Sequence, residues 1–309
     1  MRVVFMGTPD FAAGILKAVI GAGHEVVLAV TQPDKPKGRG GAVQSSPVKE
    51  CAVSRGIEVY QPKRVREAEC VEFIRKREPE IILVAAFGQI LSEEILQMPK
   101  YGCINVHASL LPKYRGAAPI QWAVINGERV SGVTIMRMDA GIDTGDMIEK
   151  AEVELSPQET GGSLFDKLEK LGADLLIRTM EKIENGTAVY TKQEESKATH
   201  VGMIKKELGL ISWEKPAAEL ERLIRGLNPW PSAFTKINGK TLKIWQARPE
   251  AGGDVSKAGE VAVVNKKELK IHTGEGVLSL LEVQLEGKKR MDIEAFLRGY
   301  KVTADMKLG

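Results

Sequence analysis

Cysteine and aromatic residues are scarce in this chain. It has 3 cysteines among 309 residues, and Phe, Trp and Tyr together make up 5%. Cys51, Cys70 and Cys103 are scattered and form no C-x-x-C pair, which argues against a disulfide framework and gives no zinc signature. Histidine is equally sparse, at 4 residues, with no H-E-x-x-H and no Cys/His cluster. Carboxylates alone would suit only a weakly held hard cation, so no metal is expected. Long apolar runs are missing as well. The strongest, IILVAAF at 81–87, is far too short to span a bilayer, and MRVVFMG at 1–7 reads as strand and turn rather than as a leader. A cytoplasmic location is the expectation. There is no internal repeat and no low-complexity segment, and neither sign of charge dominates, the formal net charge being +3.

What is present is ordinary in bulk and informative in pattern. With 43% apolar and 28% charged residues, the chain has a globular composition and enough length for two domains, each with its own core. The charge is unevenly placed. Residues 1–189 hold 23 basic and 25 acidic side chains, whereas residues 190–309 hold 21 and 16. An anionic macromolecule gripped by the second half would account for this, as would a merely solvated surface. Within the acidic half, Lys35, Lys37, Arg39 and Lys49 make a local basic stretch with no acid between them.

VVFM (3–6), EVVLAVT (25–31) and IILVAAF are short Val- and Ile-rich runs that suit strands covered on both faces. Helical patterns lie between them: FAAGILKAVIGAG, closed by Gly21 and Gly23, and VREAECVEFIRKREP, closed by Pro79. This alternation predicts an α/β domain with a Rossmann-like, mostly parallel sheet. A long amphipathic helix over 162–186 stops at Gly186. TAVYTKQEESKATHVG (187–202) then reads as a polar linker. Beyond a further helix, AAELERLIRGL, come the short strands LKIW (242–245), EVAVV (260–264), LKIHT (269–273) and GVLSLLEVQ (276–284). Turn signals such as Asn238-Gly239 separate them, and a smaller OB-like β-barrel fits the pattern.

The first turn, GTPDFAAG (7–14), stands where a dinucleotide fingerprint would stand. It lacks G-x-G-x-x-G, with proline at 9 and alanine at 12, so no nicotinamide or flavin cofactor is expected. Asn105-x-His107 ends an apolar strand. Residues two apart in a strand share a face, so an amide and an imidazole stand side by side at a carboxyl end, where parallel sheets bind ligands. That pair suits acyl-type transfer, because one donates to an oxyanion and the other takes a proton near neutral pH. MRMDAGIDTGDMI (136–148) adds Asp139, Asp143 and Asp146 in a glycine-marked loop. Any of them could orient an imidazole, and all three could be turn formers; spacing does not choose. Ser109 suggests a Ser-His-Asp hydrolase, but the nucleophile elbow G-x-S-x-G is absent.

These residues resemble a known family. Asn105-x-His107, SLLP at 109–112, the following YRGAAPIQWAVINGE, and GVTIMRMDAGIDTGDM are similar to the formyltransferases that use 10-formyltetrahydrofolate. GTPDFA, TQPDKPKGRG, SPVKE and, in the second half, NPWP narrow the similarity to members whose acceptor is initiator methionyl-tRNA. The resemblance implies formyl transfer from 10-formyltetrahydrofolate to the free α-amino group of methionyl-tRNA. The alternative is a member acting on a small amine or amino sugar, and a non-catalytic RNA-binding protein is the rival outside the enzymes. The resemblance also implies a catalytic domain over 1–187, a linker over 188–206 and a tRNA-binding β-barrel over 207–309. Catalytic roles fall on Asn105, His107 and Asp143, and folate binding on Ser109, Leu110, Leu111 and Pro112. Contacts to tRNA fall on Lys35, Lys37, Arg39, Lys205 and Lys206. Where members commonly carry a lysine and then IDW, this chain has Met203 and Ile211-Ser212-Trp213.

Overall fold

The computed structural model describes residues 1–36 and 43–309. Internal contacts divide the chain into two units. The first comprises Met1–Pro119, Val130–Glu154 and Phe165–Val201; the second comprises Ile120–Arg129, Leu155–Leu164 and Gly202–Gly309.

The chain opens with β1 (Arg2–Gly7), α1 (Asp10–Gly21), β2 (Glu25–Val30), β3 (Lys35–Pro36), β4 (Val43–Gln44), α2 (Pro47–Val53) and β5 (Val59–Tyr60). Next come α3 (Ala68–Arg75), β6 (Ile81–Ala85), α4 (Glu93–Gln97), β7 (Cys103–His107), β8 (Arg115–Gly116) and α5 (Pro119–Ile125). β9 (Val130–Arg137), β10 (Met147–Glu154), α6 (Gly161–Glu184) and β11 (His200–Val201) follow. The main sheet has the order β10-β9-β7-β6-β1-β2-β5. Strands β7, β6, β1, β2 and β5 pair in parallel, as the sequence pattern predicts, while β9 and β10 add an antiparallel edge.

Apolar residues two apart define the faces of this sheet. Val4, Met6, Leu28, Val30, Ile82 and Val84 pack with Val71 and Ile74 of α3 and Ile95 of α4. On the other face α6 comes close because residue 172 is glycine: a β-carbon there would already touch Val106, Ile15 and Val133. All five residues of β6 are buried. Removing each of its Ile, Leu and Val side chains from water stabilises the fold by about 1.5–3 kcal/mol, which seats the neighbouring β7.

The second unit carries α7 (Ala217–Gly226), β12 (Ala233–Ile237), β13 (Lys240–Glu250), β14 (Val261–Val264), β15 (Leu269–His272), β16 (Val277–Leu285), β17 (Met291–Asp292) and α8 (Ile293–Gly299). Its sheet is antiparallel, in the order β12-β13-β16-β15-β14, with β17 on β16. Asn238 and Gly239 close the β12–β13 hairpin at φ +48° and +76°, the left-handed pair that a two-residue turn needs. Leu220 and Ile224 of α7 join Trp213, Leu242, Ile244, Leu278 and Leu280 in one core. The sequence pattern omits β12 and α8, because β12 directly follows a proline-rich turn and α8 has only 7 residues, two turns of helical period. Among the described residues, no helix is long and apolar enough to cross a membrane.

Gly132 of β9 marks a close approach to the edge strand. A β-carbon there would overlap the Ala151 carbonyl oxygen and lie 2.6 Å from Leu110 Cδ2. Gly132→Ala should therefore destabilise the first unit by about 1–3 kcal/mol, the usual cost of overpacking. A lowered urea midpoint checks this; an unchanged midpoint would show that the edge strand yields freely.

Candidate active site

β7 ends with Asn105 paired to Val84 and Met136, and with His107 paired to Thr134. All five of its residues are buried. The chain then turns at once. Ser109 N–H donates to the His107 carbonyl at 2.9 Å, and the Ser109 hydroxyl donates to the Lys113 carbonyl at 2.7 Å. Thr134, fully buried on β9, accepts from Leu111 N–H at 3.1 Å and donates to the Ser109 carbonyl at 2.7 Å. Lys150 on β10 donates from Nζ to the Leu111 carbonyl, and partial burial lowers its pKa while Glu152 opposes that shift. The 109–112 turn is thus pinned from two neighbouring strands, and the Ser109 hydroxyl is engaged inside it. Leu110 and Pro112 remain partly exposed, while Leu111 is buried.

Of the three loop aspartates, Asp143 turns toward β7. Asp139 caps its own turn, accepting from Gly141 N–H at 3.0 Å and from the Thr144 hydroxyl at 2.6 Å. Asp143 sits at φ +55°, a left-handed conformation that Asp tolerates better than most residues. Its Oδ1 lies 3.4 Å from Asn105 Nδ2 and 3.6 Å from His107 Nδ1, and its Oδ2 accepts from Gly116 N–H at 2.8 Å. On the far side of the ring, His107 Nε2 is 3.0 Å from the Tyr114 carbonyl oxygen. A carbonyl only accepts, so Nε2 carries a hydrogen toward it, and Nδ1 is the nitrogen that faces Asp143. Only 7% of the His107 side chain and 15% of the Asp143 side chain reach solvent, so charge here is weakly screened.

Four more residues support the trio, and none is a candidate from sequence. Arg115 is 1% exposed, donating from Nε to Gln193 Oε1 at 3.0 Å and from Nη1 to both Glu195 oxygens at 2.9 and 3.0 Å. Gln193 Nε2 donates to the carbonyls of Asp143 at 2.7 Å and Gly145 at 2.8 Å. Thr199 Oγ1 accepts from Tyr114 N–H at 2.8 Å, and Thr134 is described above. Residues 188–201, which read as linker, hydrogen-bond into the first unit, and β11 pairs in parallel with β8. Their polar composition hides this, because the partners are loop carbonyls and one buried guanidinium. The only sequence signal was a charged Arg115 beside a Gly-Ala-Ala-Pro run.

Lys205 and Lys206 are exposed where a short 3₁₀ turn begins in the second unit. The Lys35 backbone belongs to β3, paired with β4, while Lys37 and Arg39 lie outside the described residues. Lys49 is engaged with Asp34.

Residues 1–180 match the formyl transferase family, and residues 203–301 match the formyl transferase C-terminal domain. The chain is 64% identical to the methionyl-tRNA formyltransferase of Agathobacter rectalis over 302 residues, covering 98% of this chain and 97% of that relative. The chain belongs to the methionyl-tRNA formyltransferase family. Solved structures share the fold. HypX from Aquifex aeolicus, in complex with tetrahydrofolic acid, gives a TM-score of 0.64 at 18% identity over 96% of this chain, which spans 47% of that one. WlaRD, a sugar 3N-formyl transferase solved in the presence of dTDP and 5-N-formyl-THF, gives 0.66 at 21% identity, covering 94% of this chain and 99% of that one.

Thr134 offers a direct test of how the 109–112 turn is held. Thr134→Val keeps the shape but strands the Leu111 N–H and the Ser109 carbonyl without their hydroxyl partner. The expected cost is about 1–3 kcal/mol for each group left unsatisfied. Chemical denaturation reads it, and a change below about 0.5 kcal/mol would mean that water replaces the hydroxyl.

Proposed function

We propose that the chain transfers the formyl group of 10-formyltetrahydrofolate to the free α-amino group of initiator methionyl-tRNA, giving N-formylmethionyl-tRNA for translation initiation. The observation that carries this reading is the convergence of the Asn105 amide and His107 Nδ1 on one oxygen of Asp143, at the carboxyl end of β7. Family membership over both halves supports formyl transfer, and the name of the Agathobacter rectalis relative supports the acceptor. The folates in the two structural neighbours support the donor.

In this reaction the unprotonated amine attacks the formyl carbon, and the formyl oxygen takes the electron pair as an oxyanion. The carbon–N10 bond then breaks. The amine loses one proton and N10 gains one, so the reaction balances without a further reactant. Asn105 Nδ2 carries two hydrogens; with one toward Asp143, the other serves the oxyanion from a nearly dry site. His107 takes or relays the amine's proton, and Asp143 holds its ring and favours its charged form. Leu110 and Pro112 give the folate an apolar edge to rest on, beside the buried Ser109 and Leu111. The chain contributes positioning and electrostatics, and the donor brings the activated carbon.

For the polyanionic acceptor we assign grip to Lys205 and Lys206, with Lys35, Lys37 and Arg39, and to the basic 207–309 domain following the 1–187 catalytic domain and the 188–206 linker.

A formyl-transfer assay with charged initiator tRNA tests the reading. Formylation of an amino sugar but not of the tRNA would move the chain to the small-amine members. Asn105→Ala should lower kcat by roughly 10²–10³-fold, as loss of one oxyanion donor does. His107→Ala should lower it by roughly 10²–10⁴-fold. Both variants should keep the wild-type circular dichroism spectrum, and near-wild-type turnover in either would remove that residue from the chemistry.

A further inference from the structure

The segment 191–201 shapes the site without reaching its centre. Thr191 exchanges backbone hydrogen bonds with Met147 at 2.8 and 2.9 Å, and His200 and Val201 pair with Arg115 and Gly116. Between these anchors, Gln193 uses its whole amide group. Both carbonyls that its Nε2 reaches, of Asp143 and Gly145, belong to the loop that carries the catalytic carboxylate, and its Oε1 accepts from buried Arg115. Thr199 holds the other side: its hydroxyl receives Tyr114 N–H, its carbonyl receives Arg115 N–H at 2.8 Å, and its N–H donates to the Pro112 carbonyl at 3.2 Å. Tyr114 is the residue whose carbonyl oxygen meets His107 Nε2.

We infer that residues 191–201 form a positioning strap, and that Gln193 is a positioning residue that acts through Asp143. The inference rests on the Asn105/His107/Asp143 reading above. Asp143 occupies a left-handed conformation in a loop where Asp139 closes a turn on the loop itself, while Met138 N–H donates to the Cys103 carbonyl and Asp143 accepts from Gly116 N–H. Two Gln193 hydrogen bonds, to the carbonyls of Asp143 and Gly145, tie that loop to Arg115 of β8. Misplacing a catalytic group by about 1 Å costs up to ~10²-fold in rate, so a contact that never touches substrate still sets kcat.

Two substitutions and one background test this. Gln193→Glu keeps the volume and the Arg115 contact but replaces both N–H donors with an oxygen facing two carbonyls. Gln193→Ala removes the group outright. Each should lower kcat for formyl transfer by roughly 10–100-fold while KM for donor and tRNA stays within about twofold. On an Asp143→Ala background the same substitutions should have little further effect, since groups acting through one another are not additive. Equal losses in both backgrounds, or unchanged kcat, would overturn the inference. A readout independent of turnover is the imidazole ¹⁵N spectrum, which is simple with only 4 histidines. The His107 resonances should move in Gln193→Glu, and unmoved resonances would also overturn the strap. If the wild-type chain did not formylate methionyl-tRNA, the functional reading would fall, while the His107 signal would still test the strap.

Discussion

The carboxylate of Asp143 has three claimants: the Asn105 amide and the His107 imidazole on one oxygen, and the Gly116 amide on the other. Its place is not given by any strand. It stands in a loop, in a backbone conformation that most residues avoid, so the surroundings must over-determine it. They do so through a buried cation. Arg115 is almost wholly excluded from water, and a guanidinium there is tolerable only if its donors are met. Gln193 meets Nε and Glu195 meets Nη1, and Gln193 in turn fixes the Asp143 loop. Releasing the loop would therefore loosen the partners of a buried charge, which makes the geometry around Asp143 costly to lose.

The sheet explains why only one strand end is needed. Parallel strands with continuous apolar runs are covered on both faces and have little freedom along their axes. β7 inherits that rigidity from β6 and delivers Asn105 and His107 in register with Met136 and Thr134 of β9. The antiparallel edge then adds what a purely parallel sheet would lack. β9 lends the Thr134 hydroxyl to the 109–112 turn, β10 lends Lys150, and the connection between them carries Asp143.

Wherever one short stretch of sequence determines the outcome, the site could be read directly. Period two put Asn105 and His107 on one face, and the end of the apolar run put them at the ligand-binding edge. The parallel sheet, the long helix now seen at Gly161–Glu184 and the Asn238-Gly239 hairpin were legible for the same reason. Asp143 was not, since Asp139, Asp143 and Asp146 are equivalent by spacing and only the resemblance singled one out. What separates them is tertiary: Asp139 closes its own turn while Asp143 is aimed across the loop. Gln193 and Thr199 were hidden for a related reason. Their partners are backbone groups distant in sequence, and a polar residue engaged that way has the same composition as one facing solvent.

The tautomer of His107 constrains how a proton can travel in the proposed reaction. With Nε2–H committed to a main-chain carbonyl, the ring cannot take a proton on one nitrogen and pass it from the other. The other ring nitrogen, Nδ1, faces Asp143. In the proposed reaction Asn105 would stabilise charge on the formyl oxygen and His107 would handle the proton, with the Asp143 carboxylate beside both the amide and the imidazole. In that reading, moving the carboxylate would disturb the Asn105 amide and the His107 ring together, and the support of its loop extends into the polar segment after α6.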